Sequence, residues 1–259
     1  MDLSEKGDQP MFDCSKRYLI AFNGEIYNAR ELKKHIPEVN FKGNSDTELL
    51  INLYAKFKNK VLDLIEGMFS FVIYDKQDKK CFIARDRFGI KPLYYFIDKH
   101  SLIFSSEIKP ILDYKKVNEF NNDTFSDFFF RGLLDHNNLT FFKNVMCLEP
   151  SHYIHASKDK MIKKKYWDIA EPLFDYKKDD LEYLQELLTY SIDQHLISDR
   201  KIGFFLSGGT DSSALASICS KNLNYLPNTY TYDFSRNEFS ESRKAKKIAK
   251  SLKLKITYQ

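Results

Sequence analysis

Long apolar runs are missing from this chain: none of its 259 residues fall in a stretch approaching the ~20 consecutive apolar positions that a membrane-spanning helix needs. The opening residues, Met1-Asp2-Leu3-Ser4-Glu5-Lys6-Gly7-Asp8, carry neither a basic n-region nor an apolar h-region. No secretory signal and no membrane partner are expected, and the expected location is cytoplasmic. Cysteine is scarce. Cys14, Cys81, Cys147 and Cys219 lie far apart, match no CxxC or metal-ligand spacing, and sit among residues expected to be buried, which predicts free thiols in a reducing compartment. Charge of one sign is lacking as well: 40 basic and 36 acidic residues give a net charge of +4. They are spread along the chain without the basic stripe of a nucleic-acid footprint, so no nucleic-acid partner is expected. The cluster Lys163-Lys164-Lys165 reads as solvated loop. Neither an internal repeat nor a low-complexity tract is visible.

What is present is enough for one large or two ordinary domains, with 43% hydrophobic and 29% charged residues. The pattern favours two. Up to about Ile154, short β-type runs are separated by turn residues: Tyr18–Phe22, Gly67–Tyr74, Lys80–Arg85, Leu93–Ile97 and Ser101–Ser105. Helical spacing appears at Ala29–His35 and at Thr47–Lys58, the latter behind a Ser45-Asp46-Thr47-Glu48 start signal. This mixture predicts an α+β fold with a layered sheet. Past Tyr166-Trp167 the pattern changes to a long amphipathic helix, about Asp179–Asp199, and then to strand Lys201–Leu206, helix Ser212–Lys221, strand Thr229–Phe234, helix Glu241–Leu252 and strand Lys255–Tyr258. Alternation at this spacing predicts an α/β unit with a parallel, doubly wound sheet. The expected division is residues 1–160, a linker at 161–178, and residues 179–259.

Ser207-Gly208-Gly209-Thr210-Asp211-Ser212-Ser213 follows the apolar strand ending at Leu206 and precedes a helix. Free backbone amides and the helix dipole can hold an anion at such a place. The two glycines allow close approach, and the hydroxyls of Ser207, Ser212 and Ser213 can add hydrogen bonds. No Lys-Ser/Thr pair follows, which excludes a Walker A loop. A bare Gly-Gly pair would be an ordinary βα turn, but here seven consecutive residues match. The segment resembles the SGGxDS pyrophosphate loop of the N-type ATP pyrophosphatases. That resemblance implies ATP binding by Leu206, Ser207, Gly208, Gly209, Asp211, Ser212 and Ser213, with Asp211 holding a Mg²⁺ ion that shares the charge of the departing pyrophosphate. Asp211 could instead cap the following helix through the amides of Ser213 or Ala214. The downstream runs Tyr232-Asp233-Phe234-Ser235 and Glu241-Ser242-x-x-Ala245 resemble the family's second strand and following helix.

Asn23-Gly24-Glu25-Ile26-Tyr27-Asn28 follows an apolar strand, and alone an Asn-Gly pair is more often just a turn. With Ser45-Asp46-Thr47-Glu48, the run from Ala84 to Tyr95, and Ser105-Ser106-Glu107-Ile108-Lys109, it occurs in the order and approximate spacing of class II glutaminase domains. Along nearly its whole length the chain resembles glutamine-hydrolysing asparagine synthetases. The resemblance implies an Ntn-hydrolase-like glutaminase domain followed by the start of an ATP pyrophosphatase domain. It also implies glutamine, ATP and aspartate as substrates, asparagine, AMP and pyrophosphate as products, and a possible homodimer in the full-length protein. Attack on an amide carbonyl calls for oxyanion donors, which Asn23 and Gly24 would supply. Glutamine's ammonium calls for carboxylates, the places of Glu25 and Asp46. Arg85-Asp86-Arg87 reads instead as a structural ion-pair network.

The pattern breaks in three places. The family's nucleophile is an N-terminal cysteine with its own amine as base, and Met1-Asp2-Leu3-Ser4 corresponds to an interior stretch. Cys14, between turn residues and without a free amine, is no substitute. Ser151 stands where the family usually has glycine, which touches only a turn conformation. The second domain stops in its third strand, before the segments that bind the acceptor. The expectation is therefore a piece truncated at both ends, inactive by itself and marginally stable. A related amidotransferase acting on a sugar or other acceptor, or a non-catalytic remnant, remains as an alternative.

Overall fold

The structure, a computed structural model, describes residues 4–169, 180–198, 201–233 and 240–258. The expected helix ends Asp179 and Asp199, linker residues 170–178, and Phe234-Ser235 lie outside the described residues. The chain divides into two compact units, Met1–Glu171 and Pro172–Gln259.

In the first unit the elements in chain order are β1 (Met11–Phe12), β2 (Tyr18–Ile26), α1 (Ala29–Leu32), α2 (Asp46–Phe57), α3 (Val61–Leu64), β3 (Gly67–Asp75) and β4 (Lys80–Arg85). They continue with β5 (Tyr94–Ile97), β6 (Leu102–Ser105), α4 (Ile108–Lys115), α5 (Asn122–Arg131), β7 (Val145–Cys147), β8 (His152–Ala156) and β9 (Met161–Lys165). A six-stranded antiparallel sheet runs β1-β2-β3-β4-β8-β9, and a three-stranded antiparallel sheet runs β6-β5-β7.

Alternation along the strands builds the layers. Phe69, Phe71 and Ile73 of β3 join Tyr18 and Ile20 of β2, Phe82 of β4, and Leu49, Leu50 and Leu53 of α2 in one buried cluster. The intervening Val72, with Ile83 of β4 and Ile154 of β8, faces the other way and packs with Tyr95 of β5. The large sheet is thus covered by α2 on one face and by the small sheet on the other, the layered α+β arrangement expected. Eight consecutive residues of α2, Thr47 to Tyr54, are buried, and the Tyr54 ring stacks on Phe82 at 5.1 Å.

In the second unit, α6 (Asp180–His195) precedes β10 (Gly203–Phe205), α7 (Thr210–Lys221), β11 (Asn228–Thr231), α8 (Ser242–Ser251) and β12 (Ile256–Tyr258). The three strands are parallel in the order β10-β11-β12, as the alternating pattern predicted. Ala216 of α7 and Ala245 and Ala249 of α8 meet Leu206, Leu252 and Leu254 in the core. Small residues there let both helices lie close to the sheet. Among the cysteines, Cys219 is buried, Cys81 and Cys147 are half-buried, and all four are free. Cys14 is exposed, against expectation, because it sits in the turn between β1 and β2.

Candidate functional site

β2 continues four residues past its expected end at Phe22 and carries the Asn23-Gly24-Glu25-Ile26 motif within it. All nine of its residues pair with β3, so the Asn-Gly pair is strand and not turn. Gly24 is required there: a Cβ would lie 2.3 Å from the Met68 carbonyl oxygen and 2.8 Å from Phe69 Cα. Only hydrogen lets the strands approach so closely.

The other edge of β2 opens where β1 ends. β1 pairs with it at Met11↔Ile20 and Phe12↔Leu19. Further on, the Phe22 N–H donates to Gln9 Oε1 at 2.6 Å, and Gln9 Nε2 donates to the Phe22 carbonyl at 3.0 Å. Four residues later the Ile26 N–H donates to Asp46 Oδ2 at 2.8 Å. Gly24 lies between these two on the same side. Its register partner Phe69 spends both backbone groups on Asp86, donating to Oδ2 at 3.2 Å and accepting from the Asp86 N–H at 2.8 Å. The Gly24/Phe69 pair is therefore of the non-hydrogen-bonded kind, in which both residues turn their N–H groups away from each other. The Gly24 N–H consequently points to the open edge, between Gln9 and Asp46.

A cleft of about 210 Å³ occupies that edge, lined by Gly7, Gln9, Phe22, Asn23, Gly24, Glu25, Ser45, Asp46 and Thr47. All four residues expected to meet glutamine are among them. Phe22 packs toward α2, so Asn23 and Glu25 leave through the opposite face of the sheet, where Asn23 Nδ2 donates to Ser106 Oγ at 3.2 Å. Asp46 is placed by the start of α2: Ser45 Oγ accepts from the Glu48 N–H at 3.2 Å. Glu48 does not reach back to close a capping box, since its carboxylate accepts from the N–H groups of Lys42 at 2.8 Å and Gly43 at 2.9 Å. Negative charge is felt nearby: burial first, then Asp86 and Glu25, push the Tyr27 phenol up to about 12. A cleft lined by Asn23 and by an outward-pointing Gly24 N–H, with the two carboxylates of Glu25 and Asp46 in the same lining, suits a molecule with a polarisable carbonyl and an ammonium group.

Arg85 and Asp86 are structural, as expected, but among the described residues they form no ion-pair network. Asp86, 1% exposed, accepts from the N–H groups of Phe69, Phe88, Ile90 and Lys91, while Arg85 donates to the carbonyls of Gly89, Lys91 and Leu148. Apart from Cys147 Sγ, to which Arg85 donates at 3.1 Å, their partners are main-chain groups that strand pairing does not satisfy. Arg87 lies over the Trp167 ring, 5.8 Å from its centroid. Gln9 and Ser106 were missed as site residues. Ser106 lay inside a matched motif, whereas nothing local marks Gln9.

In the second unit the Leu206–Ser213 segment forms the turn from β10 into α7. The helix begins at Thr210, two residues earlier than expected, with Gly209 at the N-cap and no side-chain cap. Asp211 is exposed in the first turn and does not serve as the cap, which removes that alternative. Ser207 Oγ and Ser212 Oγ bond each other at 2.9 Å, and the Gly209 N–H donates to Ser207 Oγ at 3.2 Å. These hydroxyls shape the loop, while Ser213 Oγ is buried with no partner among the described residues. Gly208 has φ +79°, and a Cβ would come within 2.7 Å of the Ala245 nitrogen on α8. Glycine is thus required by helix packing as well as by backbone conformation.

The family model for the glutamine amidotransferase domain matches residues 1–167, and that for asparagine synthase matches residues 183–258. "Asparagine synthetase [glutamine-hydrolyzing] 2" of Bacillus subtilis is 36% identical, with 98% of this chain and 36% of that protein covered. "Asparagine synthetase [glutamine-hydrolyzing] 3" of the same organism is 32% identical over 90% of this chain and 40% of that protein. An asparagine synthetase of Zea mays is 32% identical over 84% of this chain and 33% of that protein. The chain spans less than half the length of these curated relatives.

Proposed function

The chain belongs to the glutamine amidotransferase domain family through residues 1–167, and from that membership we propose that it is part of a glutamine-dependent asparagine synthetase. In this reading residues 1–160 are the glutaminase part and residues 179–259 the beginning of the ATP-using part. Glutamine lies in the cleft at the open edge of β2. Its side-chain carbonyl faces the Gly24 N–H and the Asn23 carboxamide, which stabilise the oxyanion that develops under attack. Its ammonium lies between Glu25 and Asp46. The lining of this cleft contains no cysteine, so the family's cysteine nucleophile would have to come from elsewhere in the synthetase; with it, water cleaves the side-chain amide to glutamate and ammonia, and the ammonia goes to an aspartate whose carboxylate has been adenylated by ATP, giving asparagine, AMP and pyrophosphate.

The pyrophosphate end of ATP is assigned to residues 206–213, where the amides at the start of α7 face an anion. Among the described residues no group of three or more His, Cys, Asp or Glu could hold a metal by itself. Asp211, which is exposed and not used as a cap, is the residue that would hold a Mg²⁺ ion brought with the nucleotide, as is usual for this cation. When bound it neutralises phosphate charge.

The convergence of Asn23, Gly24, Glu25 and Asp46 on one cleft carries the reading. An NMR titration with L-glutamine tests it: the Gly24 amide and the Asn23 side-chain amide should shift saturably, and Asp46→Asn should weaken the effect. The absence of a saturable shift at Gly24 would remove the assignment.

A further inference from the structure

The side chain of Gln9 stands where another rung of the β1–β2 ladder would be. Main-chain pairing with β1 stops at Met11↔Ile20. Two residues further along β2, both backbone groups of Phe22 are still bonded, to the two ends of the Gln9 carboxamide at 2.6 and 3.0 Å. A carboxamide offers the donor and acceptor of a peptide group, so it replaces the missing strand residue. The same Nε2 also donates to Thr47 Oγ1 at 3.3 Å, next to Asp46 at the start of α2. Its two protons are then both committed, which makes Gln9 a strut and not a ligand.

Resting on the glutamine reading of this cleft, we infer that Gln9 is a positioning residue that sets the distance between the Gly24 N–H and the Asp46 carboxylate. Gly24 is the next residue of β2 to point outward past the Gln9–Phe22 rung, and Asp46 precedes the residue that Gln9 grips on α2. With the direct bond from the Ile26 N–H to Asp46 Oδ2 at 2.8 Å on the far side of Gly24, this side chain gives a second tie between the element carrying the oxyanion donor and the element carrying the ammonium acceptor, so that Gly24 is held from both sides. A fixed spacing between those two groups is what distinguishes glutamine from asparagine, which is shorter by one methylene and cannot reach both. Gln9 is exposed, so its loss should leave the core intact.

The test uses the 259-residue chain, with calorimetric titration of L-glutamine and L-asparagine into the wild type, Gln9→Ala and Thr47→Val, and amide hydrogen exchange at Phe22 and Ile26. Gln9→Ala should bind glutamine about ten-fold more weakly, roughly the effect of losing one or two hydrogen bonds. It should also narrow the preference over asparagine and speed exchange at Phe22, while Ile26 stays protected and the melting temperature stays put. Thr47→Val, which removes only the tie to α2, should show a smaller loss of the same kind. Unchanged affinity and unchanged preference in Gln9→Ala would overturn the inference alone. Failure of the wild type to bind glutamine would overturn the reading of the cleft, and this inference with it.

Discussion

Asn23 and Ser106 lie 83 positions apart in the chain and meet through a hydrogen bond of 3.2 Å from Nδ2 to Oγ. The bond ties β2 of the large sheet to the turn that follows β6 of the small one. It uses one of the two Nδ2 protons and leaves the other for the oxyanion role proposed for Asn23.

Ser106→Ala should therefore cost little stability, Ser106 being only half-buried, yet weaken glutamine binding by about three- to ten-fold. Calorimetric titration of the variant decides this. Wild-type affinity would mean that Asn23 is oriented without Ser106.

Ser151 occupies the left-handed region at φ +63° and is 3% exposed. This conformation costs a non-glycine residue about 1 kcal/mol or more. Its hydroxyl offsets part of that cost by donating to the Arg87 carbonyl at 2.8 Å, a bond worth about 1 kcal/mol. Alanine would keep the strain and lose the bond, whereas glycine would lose both together. Urea midpoints should rank Ser151→Ala clearly below the wild type and Ser151→Gly close to it. Equal destabilisation by the two variants would argue against backbone strain at this position.

His155 of β8 lies against Phe82, with ring centroids 4.8 Å apart, and its pKa is held below the usual 6.5 by burial first and by Lys164 and Lys80 after it. Across the interval between the two pKa values the unfolded chain binds this proton and the folded chain does not. Its contribution to stability is thus present above about pH 6.5 and is lost as the pH falls through the folded-state value. His155→Phe keeps a ring against Phe82 and removes the titration. The urea midpoint of the wild type should drop between about pH 7.5 and pH 5.5 more than that of the variant, and parallel profiles would exclude His155 as the cause.

β4 is legible to the residue because Lys80–Arg85 is an apolar-centred run between turn residues, and its sheet uses it in that form. β2 reads too short for the opposite reason. Asn23-Gly24 has turn chemistry, and only pairing with all nine residues of β3 holds it extended. Tertiary pairing overrode local preference there. α5 has a polar arc of Asn122, Asp123, Ser126, Asp127 and Arg131 and an Asn121 cap, but the consecutive phenylalanines 128–130 break the helical spacing of its apolar side. Phe129 and Phe130 are 70% and 86% exposed, so burial does not define that side either. In the cleft, Asn23, Gly24, Glu25 and Asp46 are legible from motif spacing. Gln9 is not, since its role comes from where β1 happens to stop.

Asp211 provides the sharpest test of the second unit. It is exposed in the first turn of α7, where the N-cap is Gly209. A carboxylate there gains from the helix dipole by about 0.3–1 kcal/mol, so exchanging it for asparagine should barely move the melting temperature. A carboxylate facing three phosphates is repelled unless a cation stands between them. The same position therefore hinders nucleotide binding without Mg²⁺ and helps it with Mg²⁺. Asp211→Asn should abolish most of the Mg²⁺-dependent gain in ATP affinity while leaving Mg²⁺-free binding equal or slightly stronger. Glutamine binding in the first unit should not change. In a complete synthetase the same substitution should lower ATP-dependent amide synthesis by orders of magnitude, since the charge of the departing pyrophosphate would be left unshared. Calorimetric titration of ATP with and without Mg²⁺, on the wild type and the variant, separates these outcomes. An Mg²⁺ response that survives in Asp211→Asn would show that the metal is held by other groups.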